Sequence, residues 1–161
     1  VRWSAWRPPA RRRQRSTARA RRFVGAAVAA LAGERQSSSA GLGTLCHGIR
    51  GLAILGLPSE AARLARRLGE HRTRWGGFSA RPGGPPDLVS TYQAALSLQR
   101  LGRPVPAGLD RFLGAIEVPG GGHSWAPVFR RAGGPLATAM ARLLDAHARS
   151  GGERPLPSLN L

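Results

Sequence analysis

Arg81 and Asp87 are the residues of this 161-residue chain best placed to do chemistry together. They stand six residues apart in Ala80-Arg-Pro-Gly-Gly-Pro-Pro-Asp87, a stretch no regular element runs through, because proline fixes φ and lacks an N–H. A guanidinium there can present paired N–H groups to a phosphate or diphosphate, or it can be one more solvated arginine among 25. A carboxylate there can bind a cation, or it can accept from the free N–H groups of the next helix as its N-cap, which requires no ligand. Four aromatic residues flank the pair: Trp75, Phe78, Tyr92 and Trp125. They could line an apolar pocket, or pack as turn residues between helices.

Other chemistries find less support. One cysteine, Cys46, excludes an intramolecular disulfide and fits a reducing compartment, so a cytoplasmic location is expected. His47 is its neighbour, and adjacent helical residues point about 100° apart, so the two share a metal with difficulty. No metal site and no cofactor is expected. His71 and His147 fall near helix ends, where imidazole meets the carbonyl dipole favourably. Asp87, Asp110 and Asp145 are scattered along the chain and make no acid cluster of the kind that raises a catalytic pKa.

The net charge of +17 comes entirely from arginine, and residues 1–22 hold nine of the 25 with no acid among them. That segment, with Trp3 and Trp6, invites a nucleic-acid reading through phosphates and stacked indoles. It carries no signature of a nucleic-acid-binding fold, and a GC-rich coding bias produces the same composition, so no nucleic-acid partner is expected. No apolar run approaches the roughly 20 residues of a membrane span, so no transmembrane segment is expected.

The elements that must position these residues read as helices throughout. Residues 1–22 are expected to be a disordered basic tail, 23–150 a helical-repeat domain and 151–161 a C-terminal tail. A short helix is expected over Phe23–Leu31, followed by a Ser/Gly linker. Leu45, Ile49, Leu52 and Leu55 recur at helical spacing, and Gly56 and Pro58 stop them. Ser59 is placed to cap a second helix with Ala61, Leu64, Ala65 and Leu68 on one face. Leu88, Tyr92, Ala95 and Leu98 form a third stripe, and Leu109, Phe112, Leu113 and Ile116 a fourth. A last helix carries Leu136, Met140, Leu143 and Leu144. Thr44, Thr91 and Thr138 are 47 residues apart and each opens a helix, and a Gly/aromatic turn recurs as Trp75–Phe78 and Gly121–Trp125. Such a period marks stacked helix hairpins that bury their faces on one another.

With these motifs in view, the chain resembles, over roughly Thr44–Leu144, the α/α-barrel superfamily of protein prenyltransferase β subunits and squalene–hopene type terpene cyclases. Arg111-Phe112-Leu113, Glu117, Gly122 and Trp125 are similar to the cyclases' repeat signature, and Arg67-Leu68, Glu70 and Trp75 form a weaker copy. Gly76-Gly-Phe78 and the Arg81–Asp87 loop are similar to the turn and diphosphate-binding stretch of the prenyltransferases. The resemblance implies an all-α fold of stacked hairpins forming part of an α/α toroid. It also implies a prenyl diphosphate held by Arg81 with its chain near Trp75, Phe78, Tyr92 and Trp125.

The family's pattern also has gaps here. Gly84 stands where a lysine would be, Val89 and Ala137 where two zinc ligands would be, and there is no DxDD acid cluster. Two functions therefore stay open. One is a prenyltransferase- or cyclase-like protein acting on or binding a prenyl diphosphate, as one piece of a larger or split enzyme. The other is a non-catalytic helical-repeat interaction module that has lost that chemistry. About two and a half units are present, so a protein partner or second copy completing the barrel is expected.

Overall fold

The structure, a computed structural model, describes residues 22, 41–129, 131 and 133–159. Apart from Arg22, which is exposed, the expected basic tail lies outside the described residues, as does the expected helix at Phe23–Leu31. Five α-helices make up the described part: α1 (Leu42–Ile54), α2 (Pro58–Ala65), α3 (Leu88–Arg100), α4 (Leu109–Ile116) and α5 (Gly134–Arg149). A 3-10 helix, Arg66–His71, extends α2, and the described residues contain isolated β-bridges but no named strand. The chain is all-α.

Helix α3 sits between two cores. Its Ala94, with half-buried Leu98 and Leu101, joins Leu45, Cys46, Ile49 and Leu52 of α1, Leu64 of α2, and Leu68. Its Leu88, Tyr92, Ala95 and Leu96 join Leu109, Phe112, Leu113 and Ile116 of α4 and Met140, Ala141 and Leu144 of α5. A helix with apolar residues on two faces is buried between neighbours rather than resting on one. Burial on the Cys46 side pushes the thiol's pKa up, in keeping with a structural cysteine.

The repeat shows in the hydrogen bonds of the turns. Thr73 N–H donates to the Gly77 carbonyl at 3.0 Å, and Val118 N–H to Gly122 at 3.1 Å. Ser79 N–H donates to His71, and Ser124 N–H to Ile116, at 2.9 and 2.8 Å. Arg72 bridges Phe78 as Glu117 bridges His123. Each pair is offset by 45 residues. The turn demands positive φ at Gly76 (+86°) and Gly121 (+100°), and Gly76 also lies so close to Gly108 that a Cβ would fall 1.8 Å from its carbonyl oxygen.

A threonine then locks each turn to the next helix. Thr91 Oγ1 accepts from Phe78 N–H at 3.0 Å and donates to the Asp87 carbonyl at 2.7 Å. Thr138 Oγ1 accepts from His123 N–H and donates to Gly134, both at 3.2 Å. Thr44 does not share this role. It is exposed, and Leu45 holds the place in α1 that Thr91 holds in α3, each donating its N–H to the N-cap carbonyl. The repeat is thus 45 residues through the turns and 46 or 47 through the helices.

Three further expectations are revised in detail. Helix α2 begins at Pro58 with Leu57 as N-cap, so Ser59 lies inside the first turn and does not cap it; proline suits that position because its missing N–H would have had no partner. By the turn register, Ala80 and not Trp75 stands where Trp125 does, because the Gly121 and Gly76 turns superimpose. Residues 151–159 lie against the fold. Leu156 is buried in the second core, its N–H donates to Gln99 Oε1 at 2.6 Å, and the Pro157 carbonyl accepts from Tyr92.

Candidate functional site

The residues singled out in the sequence lie in different surroundings. Asp87 caps α3, its Oδ1 accepting from Ser90 N–H at 2.7 Å. Phe78 is 3% exposed in the first core. Tyr92 is 1% exposed in the second, with its hydroxyl donating to Pro157 at 2.9 Å, and burial pushes its pKa up to about 12. Trp125 packs half-buried on the second core, and its carbonyl accepts from Leu88 N–H at 2.7 Å. Arg81 is exposed, and only its carbonyl, accepting from Ser79 Oγ and Gly84 N–H, is engaged by the described residues. Trp75 is 42% exposed beneath the Arg74 guanidinium, which lies 5.6 Å from its ring centre. Trp75 lines a cleft of about 470 Å³ with Pro119, Pro127 and Phe129. None of the other five lines that cleft.

A larger cleft, about 790 Å³, opens between α4 and α5. Its walls carry Asp110, Glu117, His123, Arg142, Asp145 and Arg149 over an apolar floor that includes Leu109 and Leu113. Of the three aspartates scattered in the sequence, Asp87 stays apart, but the fold brings Asp110 and Asp145, 35 residues from each other, to one cavity with Glu117. Asp145 pairs with Arg149 at 2.9 Å. Asp110, Glu117 and Arg142 make no side-chain hydrogen bond or ion pair among the described residues. His123 Nδ1 is buried with no hydrogen-bond partner there. An orphaned buried nitrogen costs roughly 1–3 kcal/mol, so it marks a place where folding alone is not optimised.

The two units differ at this point. His123 stands where the first unit has Phe78, as their shared bridge and their matching bonds to Thr138 and Thr91 establish. In the helix register fixed by those threonines, Asp145 and Ala148 stand where the first unit has Leu98 and Leu101. Phe78, Leu98 and Leu101 close the first core. Their counterparts line an open, charged cleft. The signal existed in the sequence: aligning Ser79 on Ser124 sets Phe78 opposite His123.

No protein-family model matches the chain, and no curated protein or solved structure matches it. Among the described residues no group of three His, Cys, Asp or Glu could hold a metal ion, and no helix is long and apolar enough to cross a membrane.

Proposed function

We propose that this chain is a helical-repeat binding module, built as an arc of the α/α-toroid plan, that holds its ligand between α4 and α5 without transforming it. The observation that carries this reading is the replacement of Phe78 by His123 at equivalent points of two units whose turns share one hydrogen-bond pattern. A repeat whose neighbour closes with a phenyl ring gives up packing when it opens a polar cavity, and functional sites are where such concessions collect. Supporting it, the residues of the prenyl-diphosphate reading have structural roles: Asp87 caps a helix, Phe78 fills one core, and Tyr92 ties the C-terminal segment to the other. Exposed Val128, Phe129 and Leu136 offer an apolar edge on which a partner or a second copy would continue the arc.

A second reading keeps one foothold. The smaller cleft joins Trp75 and Phe129 with two prolines, and Arg74 lies over the indole, so an apolar chain with a diphosphate head has a place to lie. Thermal unfolding with geranylgeranyl diphosphate, farnesyl diphosphate and inorganic pyrophosphate at matched ionic strength separates the two. A ligand at 100 times its dissociation constant adds about 2.7 kcal/mol, a readily measured shift. The binding-module reading expects the lipid diphosphates to shift unfolding no more than pyrophosphate does. A shift specific to the lipids and lost in Trp75→Ala would replace it with the prenyl-diphosphate reading.

A further inference from the structure

We propose that the α4–α5 cleft binds a basic α-amino acid, free arginine or lysine, by its zwitterionic head at one end and its side-chain cation at the other. This deepens the reading of the cleft as the binding surface and rests on it. The helices run in opposite directions here. The Glu117–His123 bridge and the His123 N–H bond to Thr138 set the end of α4 beside the start of α5. At the far side, a Cβ on Gly152, just past α5, would lie 3.4 Å from Val105, just before α4. One end of the cleft therefore carries Glu117 and His123, the other carries Asp110 with the Asp145–Arg149 pair, and Arg142, midway along α5, stands between them.

Glu117 and Arg142 share the cavity and are not joined to each other. Unpaired opposite charges in one cleft suit a ligand that carries both. The α-ammonium would donate to Glu117, while the α-carboxylate would receive the planar fork of Arg142. At the second end Asp145 is neutralised by Arg149 at 2.9 Å and Asp110 is not, which leaves one net negative charge for a side-chain cation. Leu109 and Leu113 give the methylenes an apolar floor. The volume of about 790 Å³ is in the range of small-molecule sites. The cleft also gathers three of the eight acids of a chain with 25 arginines, so a purely anionic ligand meets more carboxylates here than guanidiniums.

The test is calorimetric titration of the chain with L-arginine, agmatine, which lacks the carboxylate, and L-citrulline, which lacks the side-chain charge. Asp110, Glu117 and Arg142 are exposed, so Asp110→Asn, Glu117→Gln and Arg142→Gln leave the cores intact. The expected result is saturable arginine binding, at least about tenfold weaker binding of agmatine and citrulline, and a similar loss in Glu117→Gln and Arg142→Gln. Asp110→Asn should erase the preference for arginine over citrulline. Absence of arginine binding, agmatine binding as well as arginine, or binding indifferent to Arg142→Gln would each overturn the amino-acid proposal. The reading of the cleft as a binding surface falls separately, on the stability of the variant in which the cleft is closed.

Discussion

The first unit ends in a closed apolar corner and the second in an open charged one, although the same turn leads into both. Phe78 and His123 receive the same bridge from the preceding segment and give their N–H groups to equivalent threonines. Backbone hydrogen bonding is therefore not what differs. Three side chains mark the difference: Phe78, Leu98 and Leu101 belong to a closed core, and their counterparts His123, Asp145 and Ala148 line an open cleft. Repeats stabilise one another through like interfaces, so a unit that breaks the pattern at one corner while keeping its turn is holding that corner for something else.

The comparison can be broken most forcefully from the closed side. Phe78→His moves the second unit's residue into a core where Phe78 is 3% exposed. It removes apolar volume and buries an imidazole, and a loss of roughly 3 kcal/mol or more in urea unfolding is expected. A loss under about 1 kcal/mol would mean that the first corner is as tolerant as the second.

The threonine locks give the next contrast. Thr91 is fully buried and Thr138 half-buried, so Thr91→Val, which strands the Phe78 N–H, should cost about 2 kcal/mol and Thr138→Val about 1. Equal costs would remove the distinction between a dry corner and a wet one.

Tyr92→Phe should cost about 1 kcal/mol through the lost bond to Pro157. It also tests the second core by pH. Burial raises the phenol's pKa in the folded chain to about 12 from its ordinary value of 10.0, so the unfolded chain ionises first. The contribution is fully present below pH 10 and is lost as pH rises from 10 towards 12. Alkaline unfolding followed by circular dichroism should therefore show a shallower loss over that window in Tyr92→Phe than in the wild type. Asp87→Ala, which removes a cap remote from the cleft, should cost about 1 kcal/mol and leave ligand binding there unchanged.

Much of the fold was legible in the sequence. Leu109, Phe112, Leu113 and Ile116 are spaced for one face of a helix, and all four are buried in the second core. The C-terminal segment was not, because Leu156 docks as a single apolar residue without a period to announce it. The cleft was hidden for a different reason. Its residues come from α4, the segments on either side of it and α5, and the 47-residue spacing of the threonines conceals a 45-residue spacing in the turns. Counting from threonines sets Phe78 against Trp125; counting from the turn serines sets it against His123, and only the hydrogen bonds decide between them.

The most direct measurement is the stability of His123→Phe/Asp145→Leu, which rebuilds the first unit's corner in the second. If the cleft is kept open for a ligand, closing it relieves the orphaned His123 Nδ1 and adds apolar contact on Leu109 and Leu113, so unliganded stability in urea should rise by about 1 kcal/mol. A fall of about 1 kcal/mol or more would mean that His123 and Asp145 already serve the folded chain, and the reading of the cleft as a binding surface would be wrong.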